Sequence, residues 1–301
     1  MNPGQGEDQL VSVIIPVYNG SKVIGECLDA VFSADYENLE AIVVDDCSSD
    51  DSAGYVRKEY PRARVVSTKR NRGFAGAVNA GIRASGGSII VLLNMDTVVD
   101  KGWLGPLVDA LTADESIGLV GSKIFFEDGK TLQHAGGLLL ENGLPVHRGR
   151  GEVDTGKYEQ SADVDYLCGA SLGFRRGLLE KTGFLDEGFR PLYYEDTDLA
   201  CRVRNLGMRV VYIPGSVLVH KENVSTGCLT KRFYYYFHKS RLRFVFKNYS
   251  MKEIIRGFLP REKKWFSEEL PRDIRATLRK AYLISIPGII VLLIKRGFKK
   301  I

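Results

Sequence analysis

The chain lacks several features that mark common protein classes. Its five cysteines stand singly, without a CxxC pair: Cys27, Cys47, Cys168, Cys201 and Cys228. This spacing argues against a zinc or dithiol redox motif and predicts reduced, mostly buried thiols in a cytosolic protein. The first ten residues, MNPGQGEDQL, carry neither a basic segment nor an apolar core. We therefore expect no signal peptide.

Two phosphate-binding signatures are also missing. The glycine-rich stretch Gly73-Phe74-Ala75-Gly76 does not have the G-x-G-x-x-G spacing that a dinucleotide dehydrogenase needs after a strand. The first apolar strand is followed by Pro16-Val17-Tyr18-Asn19-Gly20, where a nucleotidyltransferase would usually carry a loop rich in glycine and basic residues. A sugar-nucleotide nucleotidyltransferase therefore stays only as an alternative.

Long apolar runs and an even charge distribution are absent as well. The stretch 281–294, AYLISIPGIIVLLI, has 14 residues, fewer than the roughly 20 of a spanning helix, and we expect Pro287-Gly288 to bend it. Residues 231–301 contain 19 Lys+Arg and 5 Asp+Glu, a net charge of +14, whereas the preceding 230 residues contain 23 and 32, a net charge of −9. The sequence thus predicts an acidic body with a basic tail.

The basic tail alternates aromatic and basic residues, beginning RFYYYFHKSRLRFVFKNY at residue 232. Bases beside an apolar stretch favour peripheral contact with anionic lipid headgroups. Packing of the tail on the body is the second interpretation. Interleaved bases and aromatics also occur in nucleic-acid sites, but we predict no nucleic-acid partner.

Acidic residues follow a buried strand in the first third of the chain. Residues 89–93, IIVLL, suit a strand buried on both faces, and Asn94-Met95-Asp96-Thr97 follow at once. Ligands of open α/β sheets bind at this end of the strands. A second acidic group, Glu195-Asp196-Thr197-Asp198, and a single histidine, His220, come later. Each carboxylate could instead be a turn or N-cap residue, and a lone histidine is often structural.

Apolar strands alternate with helical segments in the first hundred residues. We expect strands at 11–15, 41–44, 63–67 and 89–93, with helices at 21–34 and 51–59 and another within 69–86. Ser21 is the expected N-cap of the first helix. This alternation predicts a parallel α/β sheet.

Seven motifs in this order resemble the family 2 glycosyltransferases, the enzymes with the GT-A fold. They are VSVIIPVYNG, VVDDCSSD, KRNRGFAGAVNAGI, LLNMDT, CGASLGFRRGLLEKTGFLDEGF, YYEDTDLACRVRNLG and the later His220, and they cover roughly residues 10–245. The stretch from Cys168 to Leu206 is most similar to bacterial rhamnosyltransferase-type members. The resemblance implies a Rossmann-like, mixed and mainly parallel sheet flanked by helices, with a C-terminal helical extension.

The resemblance also implies a metal and a base. Asp96 matches the carboxylate that holds a divalent metal, Mg²⁺ or Mn²⁺, and His220 matches the histidine that can complete its coordination. Asn94 stands where the family motif usually has a first aspartate, so we expect the metal to bind chiefly together with the nucleotide. Asp196 matches the catalytic base that takes the proton of the acceptor hydroxyl.

The resemblance assigns two further sets of residues. The expected nucleotide-binding residues are Pro16, Tyr18, Asp46, Arg72, Asn79 and Asn94. The expected acceptor-binding residues are Gly169, Ala170 and Glu195, with Glu195 binding acceptor or orienting the base. For Asp46 a turn role, and for the glycines a role in turn geometry or close packing, remain open.

The resemblance therefore predicts an inverting transfer of a sugar from a UDP- or dTDP-sugar, dTDP-rhamnose among them, to a glycan or lipid-linked acceptor. Residues 1–230 would form the catalytic domain, with a nucleotide-binding half at about 10–100 and an acceptor half at about 101–230. Residues 231–301 would hold the enzyme at the inner, cytoplasmic face of the cell membrane. An inactive GT-A scaffold is a further alternative.

Overall fold

The computed structural model describes residues 9–221 and 230–298. The expectations about the first eight residues, Cys228 and the last three residues lie outside these ranges. Twelve strands are present in them: β1 Val11–Val17, β2 Leu39–Asp45, β3 Arg64–Ser67, β4 Ile89–Leu93, β5 Thr97–Val99, β6 Ile117–Phe125, β7 Leu132–His134, β8 Gly137–Leu139, β9 Pro145–His147, β10 Ala162–Asp163, β11 Ser171–Arg175 and β12 Arg209–His220.

The helices of the same ranges fall into two groups. Those of the body are α1 Ile24–Phe32, α2 Ser52–Glu59, α3 Gly73–Ala84, α4 Gly105–Ala113, α5 Leu178–Thr182 and α6 Glu195–Asn205. Those of the C-terminal extension are α7 Lys231–Asn248, α8 Met251–Glu253, a π-helical turn Ile254–Phe258, α9 Leu259–Lys264, a second π-helical turn Trp265–Glu269 and α10 Arg275–Phe298.

Ten strands form one mixed sheet in the order β10-β12-β6-β11-β4-β1-β2-β3, with β5 added beside β12 and β7 beside β6. The longest ladders, β1–β2 and β12–β6, are parallel. Strand β11 runs antiparallel between β4 and β6. The mixed sheet with flanking helices confirms the expected fold class.

Side chains of the central strands alternate between two apolar layers. Val13 and Ile15 of β1 face the layer that contains α1 and α4, whereas Ile14 faces the layer that contains α3. The neighbouring strand β4 follows the same rule and is buried along its whole length. A strand covered on both faces needs apolar side chains at every position, which explains the unbroken run of Ile, Val and Leu.

The C-terminal extension packs on the body. Phe244 and Val245 of α7 share an apolar cluster with Phe189 and Tyr194 of the body. Beneath them, the guanidinium of Arg241 is fully buried and pairs with the carboxylate of Glu262. Arg241 also donates to the Asn142 carbonyl oxygen of the body at 2.8 Å, so this buried group joins the extension to the body.

Three local expectations were wrong. Of the four cysteines in the described ranges, Cys27 is buried, Cys168 and Cys201 are half-buried and Cys47 is exposed, so the thiols are not mostly buried. Ser21 does not cap α1, because the helix begins only at Ile24 and its N-cap position is Val23. The apolar stretch 281–294 is part of the longer helix α10, and its segment Arg275–Ile294 is long and apolar enough to cross a bilayer by length and composition. Core helices of soluble proteins can pass the same test.

Candidate active site

The loops after β1 and β2 lie side by side, because these strands are parallel neighbours and end at the same edge of the sheet. The Asn19 backbone N–H donates to the Ser48 hydroxyl at 2.9 Å, and the Asn19 side chain accepts from the Ser49 N–H at 2.8 Å. Asn19 has φ 54°, a left-handed conformation that asparagine tolerates better than most residues. Beside it, Tyr18 is 45% exposed, and Pro16 is half-buried within β1.

Asp46 is the buried centre of the turn that precedes α3. Its carboxylate accepts from the backbone N–H groups of Arg72 and Gly73, each at 2.8 Å, and from the Thr68 hydroxyl at 2.9 Å. Gly73 has φ +73°, and a Cβ there would lie 2.6 Å from the carbonyl oxygen of Pro191. Both carboxylate oxygens of Asp46 thus accept hydrogen bonds that hold this turn.

Arg72 and Asn79 of the α3 region contact a distant loop. The Arg72 guanidinium lies 2.8 Å from both carboxylate oxygens of Glu187. The Asn79 side chain is buried and exchanges two hydrogen bonds with the Leu185 backbone, at 2.9 and 3.1 Å. Arg72 remains about one-third exposed, whereas a ligand contact by Asn79 would require these backbone bonds to break.

The predicted metal pair is assembled by two strands. Antiparallel pairing of β5 with β12 places His220 opposite Thr97, next to Asp96 in the chain. The His220 Nε2 then lies 3.2 Å from the Asp96 Oδ1 and 3.4 Å from the Asn94 Nδ2. The structure thus brings together the three residues that the sequence placed in this site.

Gln133 fixes the orientation of the His220 ring. The amide oxygen of Gln133 lies 2.8 Å from His220 Nδ1, and its amide nitrogen lies 3.4 Å from the His220 carbonyl oxygen. An amide oxygen only accepts, so Nδ1 carries a proton, and in the neutral ring the Nε2 lone pair faces Asp96. This hydrogen bond to the distal nitrogen is the usual support of a metal-binding histidine.

The donor set fits a divalent cation held in part by other ligands. With Nδ1 protonated, two acceptors, His220 Nε2 and Asp96 Oδ1, face each other at 3.2 Å, and a cation between them would remove their repulsion. In the part of the chain that the structure describes, no group of three His, Cys, Asp or Glu side chains could hold a metal ion. The remaining ligands would therefore be waters or a diphosphate.

Asp196 lies in the first turn of α6, against the loop before β11. Its Oδ2 accepts from the Gly169 N–H at 2.9 Å, and its Oδ1 accepts from the Thr197 N–H and hydroxyl. Desolvation raises the pKa of Asp196, while these hydrogen bonds oppose the shift. A carboxylate with a raised pKa accepts a proton more readily than an ordinary aspartate.

The two acidic neighbours of Asp196 have different surroundings. Glu195 is buried, and its Oε2 has no hydrogen-bond partner within residues 9–221 and 230–298. Burial, and after it the charge of Asp196, raises the pKa of Glu195 well above its ordinary value. Asp198 instead accepts from Arg202 of α6 and from Lys247 and Asn248 of α7. It therefore joins the body to the extension.

The turn before Asp196 is held by aromatic packing. Tyr193 and Tyr194 have φ 78° and 71°, which is costly for aromatic residues. Both rings pack on Phe237 of α7, and the Tyr194 hydroxyl donates to the Gly143 carbonyl at 2.8 Å. The extension thus stabilises a backbone conformation on which the position of Asp196 depends.

One hydrogen bond joins the two halves of the site. The Asn94 N–H donates to the Ala170 carbonyl at 3.1 Å, and the next residue back, Gly169, binds Asp196. The metal pair and Asp196 therefore lie on neighbouring backbone segments. The sequence analysis named neither Gln133 nor Tyr194 as a site residue, and no local pattern marks either one.

Comparison with known proteins identifies the family. The model for "Glycosyl transferase family 2" matches residues 12–183, more than half of the chain. The probable glycosyltransferase YdaM of Bacillus subtilis is 29% identical over 224 residues, 70% of this chain and 50% of the relative. The O-antigen biosynthesis protein RfbC of Myxococcus xanthus is 28% identical over 225 residues, 71% of this chain and 17% of the relative.

The chain thus spans at most half the length of these two curated relatives. Among solved structures, GalNAc-T7 with UDP, GalNAc and Mn²⁺ superposes with a TM-score of 0.63 at 16% identity, covering 92% of this chain and 55% of that one. That likeness shows the fold and agrees with the mixed sheet and flanking helices described above. By the match over residues 12–183, this chain belongs to glycosyltransferase family 2.

Proposed function

We propose that the chain is an inverting glycosyltransferase that moves a sugar from a UDP- or dTDP-sugar to a hydroxyl of a glycan or lipid-linked acceptor. The observation that carries the proposal is the pairing of a metal-type donor set with a desolvated carboxylate on adjoining segments, linked by the bond from Asn94 to Ala170. A sugar-transfer site needs both features, one for the leaving diphosphate and one for the acceptor proton.

Asp196 is the proposed base. Its carboxylate is fixed by the Gly169 and Thr197 N–H groups and stays half-buried. It takes the proton of the acceptor hydroxyl as the oxygen attacks the sugar. A single base acting on the acceptor gives inversion at the anomeric carbon. Gly169 and Ala170 would border the acceptor. The buried Glu195, the residue before Asp196, would help to orient it.

Asp96 and His220 would hold Mg²⁺ or Mn²⁺, with Asn94 beside them. Such a cation, when bound, neutralises the charge that develops on the leaving diphosphate. The relative solved with UDP and Mn²⁺ supports this choice of cofactor. On the nucleotide side, the exposed Tyr18 can stack on the base, next to Pro16.

Asp46, Arg72 and Asn79 complete the proposed nucleotide side in different ways. Arg72 is exposed enough to reach the diphosphate if it leaves Glu187. Asp46 and Asn79 act by shaping the turn and anchoring the loop that surround it, given the backbone bonds they make.

The donor nucleotide can be identified by a thermal-shift screen against UDP-, dTDP- and GDP-sugars with Mn²⁺. A ligand at a hundred times its dissociation constant adds about 2.7 kcal/mol of stability. We expect the largest shift with a UDP- or dTDP-sugar, and dTDP-rhamnose is one donor to include. NMR of the product then reports the anomeric configuration. A retained configuration would reject the inverting mechanism.

We also propose peripheral attachment to the inner face of the cell membrane, with residues 1–230 carrying the chemistry and 231–301 the attachment. Leu283, Ile290 and Ile294 of α10 are each more than half exposed, and the tail carries a net charge of +14. RfbC, an O-antigen biosynthesis protein, supports a role in cell-surface polysaccharide assembly. Flotation with phosphatidylglycerol vesicles tests the attachment: the double change Leu283→Glu and Ile290→Glu should leave the protein unbound. Equal flotation of both forms would reject it.

A further inference from the structure

A groove runs between α7 and α10, apart from the metal pair and the base. Its volume is about 100 Å³, and it is partly open to solvent. Lys239 and Arg243 of α7 line one side, Ile284 and Ile289 of α10 line the other, and Gly188 of the body closes one end. The groove is therefore basic on one wall and apolar on the other.

The basic wall has unused capacity to bind an anion. The Lys239 ammonium makes no hydrogen bond or ion pair with any residue that the structure describes. The Arg243 guanidinium binds Asp186 through one terminal nitrogen at 2.9 and 3.1 Å, but its Nε is buried without a partner. An anionic group in the groove would lie beside two positive charges, the unpaired Lys239 ammonium and the Arg243 guanidinium.

The apolar wall continues beyond the groove. Ile284 is 47% exposed, and Val291, seven residues later on the same side of α10, is 49% exposed. At Gly288, which also lines the groove, an added Cβ would meet no atom within 4 Å. Space is thus open at Gly288, between the exposed apolar side chains of Ile284 and Val291.

We propose that this groove binds the phosphate headgroup of an anionic membrane lipid, whose hydrocarbon chain lies along the exposed side of α10. The charge complementarity comes from Lys239 and Arg243, and the chain contact comes from Ile284 and the residues that follow. This assignment rests on the membrane attachment proposed above. It goes further, because it names one lipid site in place of a diffuse basic surface.

The site lies beside the loop that leads to the base. Three consecutive residues of this loop face three partners: Asp186 binds Arg243, Glu187 binds Arg72, and Gly188 borders the groove. The Ser240 hydroxyl, from the same wall of α7, donates to the Leu192 carbonyl at 3.1 Å. A lipid in the groove therefore sets the membrane surface against the acceptor side of the site.

The test measures sedimentation of the full chain with vesicles of phosphatidylcholine alone or mixed with phosphatidylglycerol. Lys239→Glu is compared with Lys263→Glu, an exposed tail residue outside the groove. Loss of a diffuse attraction, about 1 kcal/mol per lysine or roughly fivefold, would affect both variants equally. We expect at least a tenfold greater loss of partition for Lys239→Glu than for Lys263→Glu.

Gly288→Leu provides a variant that fills the groove without changing charge. It adds apolar surface, so a diffuse membrane contact would strengthen, whereas occupation of the groove should weaken binding to the anionic vesicles. Equal losses for the two lysine variants, or tighter binding by Gly288→Leu, would overturn the lipid site. A second test needs no vesicles and uses a fluorescent lipid phosphate with a short hydrocarbon chain as the bound probe. If millimolar inorganic phosphate displaces this probe, the chain adds nothing to binding and the lipid site is overturned.

Slow hydrolysis of the donor sugar separates this inference from the proposed function. None of these variants alters the metal pair or Asp196, so each should hydrolyse a nucleotide sugar at the rate of the unmodified chain. Loss of lipid binding with intact hydrolysis supports the groove. Absence of hydrolysis in the unmodified chain counts against the transferase proposal and leaves the vesicle result to be judged by itself.

Discussion

The proposed metal pair and the proposed base occupy neighbouring segments but are built in different ways. Asp96 and His220 are placed by strand pairing, with one added contact from Gln133. Asp196 lies in the first turn of α6. The two residues before this helix, Tyr193 and Tyr194, have a left-handed backbone conformation and pack on Phe237 of the C-terminal extension. The first site needs only the sheet, whereas the second also needs α7.

Because of this difference, the two sites should respond differently to substitution. Strand pairing depends on many backbone hydrogen bonds, so a single side-chain change at the metal pair should alter chemistry and leave the fold intact. The base depends on packed side chains that offset an unfavourable backbone conformation. Substitutions in the extension should therefore shift the position of Asp196 even though they do not contact it.

The largest effect is expected at the base itself. Asp196→Asn is nearly isosteric and keeps one oxygen to accept from either the Gly169 or the Thr197 N–H group, but it cannot take a proton. Removal of a general base usually costs roughly 10²–10⁴ in rate, so transfer should fall by this factor while donor binding, measured by calorimetry, is retained. Asp109→Asn, on the exposed side of α4, is the matched control and should transfer sugar normally.

The pH profile adds a second measurement for Asp196. Because desolvation raises its pKa, the protonated, inactive form persists to a higher pH than for an ordinary aspartate. The transfer rate should rise as pH increases through this pKa and then level off. Near-normal turnover in Asp196→Asn would show that another group accepts the proton.

The metal pair should give the next largest effect, on binding. Asp96→Ala removes the only carboxylate of the pair, so Mn²⁺ should no longer increase the affinity for UDP or dTDP. The loss should exceed the roughly 10–100-fold typical of removing a partner of a metal ligand. Calorimetry with and without Mn²⁺ measures it. If the affinity with Mn²⁺ is unchanged, Asp96 does not hold the metal.

A smaller effect is expected at Gln133. Gln133→Ala frees the His220 ring and its tautomer, so nucleotide affinity in Mn²⁺ should fall by about tenfold, the lower end of the range for partners of metal ligands. Gln133→Glu is the control, because it keeps an acceptor for His220 Nδ1 and should retain more affinity. The hypothesis fails if Ala and Glu variants bind equally well.

The smallest expected effect concerns the stability of the base region. The pKa of Glu195 is raised in the folded state, so the folded chain holds a proton that the unfolded chain releases above about pH 4.3. The free energy of unfolding therefore falls as pH rises above that value, until the folded pKa is passed. Glu195→Gln does not titrate and should gain roughly 1–3 kcal/mol on the unmodified chain over this range.

Denaturant unfolding from pH 4 to 8 measures this difference. Glu180→Gln, on the exposed side of α5, is the matched control. Parallel pH profiles for Glu195→Gln and the unmodified chain would mean that Glu195 is ionised in the folded state.

Much of the body can be predicted from local patterns, because strand and helix periodicity reports which faces are buried. The run 89–93 gave β4 with its observed bounds, and the acids that follow the strands lie at one edge of the sheet. The contacts that complete the site are long-range. Arg72 and Glu187 are 115 residues apart, and His220 and Gln133 are 87 apart. No local pattern specifies such pairs.

The backbone of Tyr193 and Tyr194 was equally beyond prediction from the sequence. Aromatic residues with positive φ are rare, and here the conformation persists through contacts with α7 that only the folded chain reveals. The site residues that the resemblance implies could, by contrast, be proposed from the order of the motifs alone.

The loop before the base, which contains Asp186, Glu187 and Gly188, should not tolerate a change in its number of residues. Surface loops commonly accept inserted or deleted residues. Here each of the three successive positions has its own partner: Asp186 binds α7, Glu187 binds Arg72 beside α3, and Gly188 borders the groove. One residue added or removed would move every later position by one place and break all three pairings together. Natural relatives that keep these partners should vary in sequence along this loop but not in its residue count.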